Sequence, residues 1–271
     1  MSYKSPLITV MVNAAYKASK GLVRDFGEVE HLQVSRKGPA DFVSVADHRA
    51  EKTLVAELQK ARPKYGFLLE EGGEIIGEDS SNRWIIDPLD GTTNFLHGLP
   101  HFAISIALER DGKPFAGVVY SPIMDELYWA ENGQGAWLNN QRLRTSGRKN
   151  LEECLIATGM PYKGHASHPE YLPMLDKIWE ITSGVRRFGA AALDLAYLAS
   201  GRYDGFFEFG LSPWDIAAGI VIVREAGGMV TTIDGESNLM DTGDTLASNG
   251  HIHNEMRLTL KNNVFPNHKK D

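Results

Sequence analysis

The chain has 271 residues, of which 42% are hydrophobic and 23% are charged, so it is long enough for one large or two closely packed domains. Its formal charge is -7, from 28 basic and 35 acidic residues, which disfavours binding to nucleic acid or to an anionic membrane. If the ligand is itself an anion, the attraction must be local. Bound divalent cations are a simple way to reverse the sign of an acidic pocket.

Cys154 is the only cysteine, so neither an intrachain disulfide nor a thiolate zinc site is expected. Its segment, LEECLIATG, is typical of a buried structural cysteine. The sequence begins without the pattern of a signal peptide, and its apolar runs are shorter than the ~18 to 20 residues of a membrane span. We therefore predict a cytoplasmic protein.

The first half of the chain is predicted to contain two helices followed by short strands. Apolar residues at helical spacing predict helices over 6–30 and 44–61, joined by a turn at 37–40. Closely spaced apolar runs separated by turn signals then predict an antiparallel meander. Its strands are expected at 65–69, 83–86, 102–109, 114–120 and 126–130.

After about residue 150, predicted strands and helices alternate, which is typical of an α/β arrangement. The strands are expected at 155–157, 184–188, 205–209 and 229–233, and the helices at 169–182, 190–200 and 213–226. We predict an N-terminal α+β part with an antiparallel sheet over 1–147 and a C-terminal α/β part over 148–271. The polar segment 262–271 is expected to fray.

The segment WIIDPLDGTTNF, residues 84–95, ends an apolar run with two acids and a small polar turn. Asp87 and Asp90 could share a hard cation such as Mg2+, which prefers oxygen ligands. Backbone N–H groups at Gly91 and Thr92 could hold a phosphate beside it. A plain loop, with an Asp-Pro turn and a cap, explains this segment equally well when it is considered alone.

Two further acids follow the same pattern at the ends of other elements. Glu70 follows the predicted strand 65–69, and Asp215 lies in the first turn of the predicted helix 213–226. An acid in a first helical turn is usually a capping residue, and this also applies to Asp47. Acids that converge, however, repel one another unless they are protonated or bridged by cations.

Several segments in the right order resemble one family. WIIDPLDGTTNFLHGLP resembles the first signature of the inositol monophosphatase family, and PWDIAAGIVIVREAGG resembles the second. Asp47 in DFVSVADHRAE, the pair Glu70-Glu71 and the stretch RRFGAAALDLAYLASGRYDGFFEFGL complete a resemblance over most of 35–235. Leu69 departs from it, because the family usually has glycine there. The resemblance implies an α/β layered αβαβα sandwich, as in fructose-1,6-bisphosphatase.

The resemblance implies a site with two or three Mg2+ ions. Glu70 and Asp87, with the backbone carbonyl of Leu89, would be ligands of the first ion. Asp87, Asp90 and Asp215 would be ligands of the second, with Asp87 bridging the pair. Two such cations can stabilise both the attacking and the leaving oxygen of a phosphate displacement.

The catalytic and substrate-binding residues are also implied by the resemblance. Thr92, hydrogen-bonded to Asp47, would activate a water molecule together with Glu70 and the first ion. Glu208 matches the position that binds ring hydroxyls, and Ala191 matches a backbone contact near the ring. The full set of implied substrate contacts is Asp90, Gly91, Thr92, Ala191, Glu208 and Asp215.

The predicted activity is Mg2+-dependent hydrolysis of inositol monophosphate, and the resemblance also implies a homodimer and inhibition by Li+. The alternatives are phosphatases of fructose 1,6-bisphosphate, of histidinol phosphate or of 3′-phosphoadenosine 5′-phosphate, or a non-catalytic role in binding protein or RNA. Arg186 and Arg187 are interpreted as surface charge, with a role at the site rim or a subunit interface as the alternative. His251 and His253 are expected in an exposed loop.

Overall fold

The computed structural model describes residues 4–28, 34–38, 41–161 and 169–262, with only the backbone described at 34–38, 41–44 and 262. Its helices are α1 (Pro6–Phe26), α2 (Val45–Ala61), α3 (Thr92–Leu96), α4 (Tyr171–Ile181), α5 (Ala191–Ala199), α6 (Pro213–Glu225), α7 (Leu239–Thr242) and α8 (His253–Asn262). A short 3-10 helix spans Leu151–Glu153. No helix within these residues is both long and apolar enough to cross a membrane.

The strands form two larger sheets and one hairpin. They are β1 (Val34–Gly38), β2 (Asp41–Ser44), β3 (Tyr65–Leu69), β4 (Gly73–Ile75), β5 (Asp79–Asp90), β6 (Ala103–Arg110), β7 (Lys113–Ser121), β8 (Glu126–Glu131), β9 (Ala136–Leu138), β10 (Gln141–Arg142), β11 (Leu155–Thr158), β12 (Gly184–Arg186), β13 (Gly205–Glu208), β14 (Met229–Thr232) and β15 (Thr245–Ser248). The larger sheet has the order β10-β9-β8-β7-β6-β5-β3-β4, the smaller has the order β12-β11-β13-β15-β14, and β1 pairs with β2.

The helices and sheets stack in five layers. α1 and α2 pack on one face of the eight-stranded sheet, in a core that contains Trp84 and Ile86 of β5. Ile85 points to the opposite face, because side chains alternate along a strand, and joins a core formed with α5, α6 and the five-stranded sheet. α4 and α8 cover the outer face of the five-stranded sheet. This order confirms the predicted αβαβα sandwich.

The second of these cores contains residues from both sides of position 147, among them Ile85 of β5 and Phe206 of β13. The two predicted parts therefore share apolar packing. The boundary at 147 itself stays a prediction.

The predicted antiparallel meander is correct from β5 to β8 but wrong for β3, which pairs in parallel with β5. The connection through β4 brings the chain back to the starting end of β3, so that both strands run in the same direction. The five-stranded sheet is mixed, because β12, β11 and β13 are parallel while β15 is antiparallel to its neighbours β13 and β14.

Some predicted loops are ordered elements. The turn expected at 37–40 lies partly outside the described residues, and its flanks form the β1-β2 hairpin. His251 is exposed as expected, but the prediction is wrong for His253, which is 4% exposed at the start of α8. Its Nδ1 lies 2.9 Å from Ser248 Oγ and its Nε2 lies 3.0 Å from Thr231 Oγ1, so it is a satisfied core histidine. The segment 263–271 lies outside the described residues.

Candidate active site

The parallel pairing of β3 and β5 places Glu70 beside Asp87. Leu69 pairs with Ile86, and the backbone N–H of Glu70 donates to the carbonyl of Ile86 at 3.2 Å. Since parallel strands end at the same edge of a sheet, the acids that follow the two strands become neighbours. Leu69, the departure from the family pattern, is 3% exposed and belongs to the core under α1 and α2.

A bulge near the end of β5 turns Asp87 and Asp90 toward the same side. In a regular strand, residues three apart point to opposite faces. Asp87 pairs with Ser105 and Asp90 with Ala103, so three steps along β5 correspond to two along β6. The extra residue in β5 therefore turns the side chain of Asp90 to the same side as that of Asp87. Pro88 lies within this irregular stretch, and it has no N–H group to donate to the neighbouring strand.

Backbone N–H groups hold one oxygen of each of three acids. Asp87 Oδ1 accepts from Leu89 N at 2.8 Å. Asp90 Oδ2 accepts a hydrogen bond from Ala192 N at 2.8 Å. Asp90 therefore caps the first turn of α5, because the N-cap residue of that helix makes no side-chain capping hydrogen bond. Asp215 Oδ2 accepts from Ser212 N at 2.7 Å, as half of a capping box. Asp215 thus does cap its helix, and the three carboxylates are fixed in direction.

The four acids are close enough to shift one another's titration. Burial is the largest cause that raises the pKa of Asp87, and the charges of Glu70, Asp90 and Asp215 raise it further. Burial also raises the pKa of Asp90 to about 7, although hydrogen bonds from the backbone N–H groups of α5 lower it. The pKa of Asp215 is raised well above its ordinary value by burial and then by Asp90. The structure therefore brings the four predicted acids together.

The donor set at this site fits a hard divalent cation. Carboxylate oxygens are the ligands that Mg2+ prefers, and cations between these acids would remove the repulsion that raises their pKa values. Within the described ranges, no group of three or more His, Cys, Asp or Glu side chains is placed so that it could hold a metal ion as it stands. Metal ligation by Glu70, Asp87, Leu89, Asp90 and Asp215 therefore stays a prediction.

Thr92 and Asp47 meet as predicted. Thr92 Oγ1 lies 3.2 Å from Asp47 Oδ1 and 3.0 Å from the carbonyl oxygen of Leu89, and it can donate its single proton to one of them at a time. Asp47 is 1% exposed in the first turn of α2. Gly91 has φ of +90°, and a Cβ there would lie 2.9 Å from the carbonyl oxygen of His101, so the turn before α3 requires glycine.

Glu208 and Ala191 lie at the side of the acid cluster. Glu208 ends β13, and burial followed by the charge of Asp90 raises its pKa to about 8, while Arg187 lowers it. Ala191 begins α5, and its N–H is among those that lower the pKa of Asp90. Arg186 and Arg187 are both exposed, as predicted, although Arg187 is near enough to influence Glu208.

Two buried polar residues near the site were not predicted. The side chain of Asn94 donates to the carbonyls of His101 at 2.8 Å and Phe188 at 2.7 Å, which ties the turn after Asp90 to the loop before α5. Asp194 is 1% exposed inside α5, and its Oδ1 has no hydrogen-bond partner among the described residues. The sequence signal for Asp194 is a single acid in the apolar helix AALDLAYLA, while Asn94 looks like an ordinary capping residue.

Comparison with known proteins identifies the family of this chain. The inositol monophosphatase family model matches residues 3–264. An inositol-1-monophosphatase of Mesorhizobium japonicum is 56% identical over 258 residues, 95% of this chain and 97% of that protein. Nus factor SuhB of Escherichia coli strain K12 is 42% identical, with 96% of this chain and 97% of that protein covered. The crystal structure of extragenic suppressor protein suhB from Bartonella henselae superposes with a TM-score of 0.92 at 57% identity, covering 95% of this chain and 99% of that chain. The chain belongs to the inositol monophosphatase family of phosphoric monoester hydrolases.

Proposed function

We propose that the chain hydrolyses inositol monophosphate to inositol and phosphate, and that it needs Mg2+ to do so. The observation that carries the proposal is the convergence of Glu70, Asp87, Asp90 and Asp215 beside the Thr92–Asp47 pair, in a chain of this family. Relatives that are 51–56% identical bear the name inositol-1-monophosphatase, which supports the same substrate here.

Two Mg2+ ions, or three at most, would be held by these four acids and by the carbonyl of Leu89, and when bound they supply positive charge to the phosphate and acidify the attacking water. The acids supply the negative charge that would hold these ions. Their backbone hydrogen bonds aim the carboxylates before the substrate arrives, so little reorganisation is required.

Proton transfer is assigned to Thr92 and Asp47. Thr92 Oγ1 accepts a proton from the attacking water while its own proton passes to Asp47 Oδ1, 3.2 Å away. The backbone N–H groups of Gly91 and Thr92 hold oxygens of the phosphate, at a turn that leaves no room for a side chain at Gly91. These two N–H groups belong to the segment that carries Asp87 and Asp90, so the phosphate is held at a fixed position relative to the two acids.

The alcohol part of the substrate is assigned to the C-terminal side of the site. Glu208 accepts hydrogen bonds from ring hydroxyls, and Ala191 lies beside the ring through its backbone. Esters of smaller or differently shaped alcohols would lack these contacts. Hydrolysis rates on inositol 1-phosphate, fructose 1,6-bisphosphate, histidinol phosphate and 3′-phosphoadenosine 5′-phosphate rank the alternatives directly.

The decisive experiment compares Asp87→Asn with Asp111→Asn. Both changes replace a carboxylate by an amide of the same shape, but Asp111 lies in the β6-β7 turn with φ of +50°, which asparagine also tolerates. We expect Asp87→Asn to lower kcat by about a thousandfold or more, since the bridging charge is lost, and Asp111→Asn to keep wild-type turnover. Equal activity of the two variants would refute the proposed site.

A second candidate is a binding role that does not need hydrolysis. It is favoured by the name of a relative at 42% identity, Nus factor SuhB, which is not the name of a hydrolase. The acidic net charge of -7 favours a protein rather than a nucleic acid as the partner. Asp87→Asn separates the two roles, because a binding function would survive the loss of turnover.

We also propose a homodimer located in the cytoplasm. Leu172 and Trp179 on α4 are 65% and 68% exposed, an apolar surface that suits a partner chain. The single cysteine suits a reducing compartment. Analytical ultracentrifugation and cell fractionation test the two statements separately, and a monomer at micromolar concentration would contradict the first.

A further inference from the structure

Gly159 lies directly against the carboxyl group of Glu208. It follows the last residue of β11, and a Cβ built on it would overlap Cδ, Oε1 and Oε2 of Glu208, far inside van der Waals contact. The carboxyl group therefore occupies the space that a side chain at position 159 would take. This contact differs from that of the buried Gly117, where a Cβ would meet the backbone of Ala218.

Neither backbone is free to retreat from this contact. Thr158 pairs with Phe207 in the parallel β11-β13 ladder, and its Oγ1 donates to the carbonyl of Phe207 at 2.8 Å. On its other edge Glu208 pairs with Thr245, which is fully buried. An added methyl group at Gly159 would therefore be relieved by rotation of the Glu208 side chain.

Rotation would take the carboxyl group into a different charge environment. Its charged neighbours include Asp90, Asp194 and Asp215, which repel it, and Arg187, which attracts it. Movement away from Gly159 therefore takes the carboxyl group either toward these acids or away from them. In both cases the hydrogen-bond acceptor leaves its original place.

We propose that Gly159 is a specificity-determining residue. Because it has no side chain, the carboxyl group of Glu208 can lie where it accepts hydrogen bonds from the hydroxyl groups of the substrate alcohol. The inference rests on the proposed function, because it takes Glu208 as the hydroxyl-binding group. According to this inference, the contact between Gly159 and Glu208 makes the chain prefer phosphate esters of polyols to esters whose alcohol carries no further hydroxyl group.

The test uses Gly159→Ala with Gly147→Ala as the matched control. Apart from the two chain neighbours of Gly147, no described residue has an atom within 4 Å of a Cβ built there, so the same substitution makes no close contact. The kcat/KM of each protein is measured for inositol 1-phosphate and for p-nitrophenyl phosphate, which lacks alcohol hydroxyls. We expect Gly159→Ala to lower the ratio of the two values by about tenfold or more, mainly through the KM for inositol 1-phosphate. Gly147→Ala should keep the wild-type ratio.

Glu208→Ala tests whether the effect passes through the carboxylate. Since Gly159→Ala acts on Glu208, it should change the ratio no further in a Glu208→Ala background. The inference is overturned if Gly159→Ala leaves the ratio unchanged, lowers both activities equally, or keeps its full effect in that background. Wild-type protein that hydrolyses neither ester would refute the proposed function itself, a separate outcome.

Thermal unfolding provides a second readout. The overlapping atoms lie at the end of a flexible side chain, so Gly159→Ala should fold with a melting temperature within a few degrees of wild type. If it melts far lower and the double variant with Glu208→Ala melts normally, the steric contact is confirmed. If the double variant also fails to fold, the backbone cannot take a Cβ and the inference is wrong.

Discussion

Removing divalent cations should make the stability of this protein fall as the pH rises. In the folded chain the pKa of Asp90 is raised from 3.8 to about 7, with burial as the main cause. Between these two values the folded state binds more protons than the unfolded state. Stability is therefore present at low pH and is lost as the pH rises through the folded pKa, the reverse of a carboxylate in a salt bridge.

The size of the effect follows from the pKa difference. A rise from 3.8 to about 7 corresponds to a loss on the order of 4 kcal/mol in full. About 2 to 3 kcal/mol of that loss falls between pH 5 and pH 8. Mg2+ bound only by the folded state should restore stability at pH 8, by about 2.7 kcal/mol at a hundred times its Kd.

Urea unfolding in EDTA at pH 5, 6, 7 and 8 measures this, with Asp90→Asn as the comparison. The amide oxygen of asparagine can still accept from Ala192 N, so the variant removes the titration and keeps the cap of α5. Wild type should lose about 2 to 3 kcal/mol more than Asp90→Asn across this range. Parallel pH profiles, or a wild type that gains stability relative to the variant, would refute the reasoning.

Four further outcomes are expected. Thr92→Val should lower kcat by about a hundredfold and Thr92→Ser much less, because serine keeps the hydroxyl near Asp47, and equal rates for the two variants would contradict the proton path. Gly117→Ala should lower the melting temperature by several degrees, at a cost of about 1 to 3 kcal/mol, since its Cβ would lie 2.8 Å from Ala218 Cα in the backbone of α6. Burial raises the pKa of Cys154 to about 12, so its thiol should react with Ellman's reagent at pH 8 only after unfolding in urea. Li+ at high millimolar concentration should inhibit phosphate release, and activity untouched by it would contradict the predicted lithium sensitivity.

Much of the fold could be predicted because many elements carry strong local signals. The limits 65–69 predicted for β3 are those observed, and α6 begins at Pro213 after a capping serine and ends before two glycines. Short elements carry no such signal. The two residues of β10 and the three of β9 are too few for a pattern to appear, and only their pairing defines them.

By itself, the sequence determined which acids lie near the ends of their elements and that Thr92 closely follows two of them. It did not determine that these acids meet. Asp87 and Asp90 share a face only because a bulge against β6 adds one residue to β5, and Glu70 reaches Asp87 only because β3 runs parallel to β5. Strand direction and register depend on partners far away in the chain, whereas the alternation of side chains along one strand is a local property. The meeting of Glu70, Asp87 and Asp90 therefore arises from the pairing of strands, which no local pattern of residues encodes.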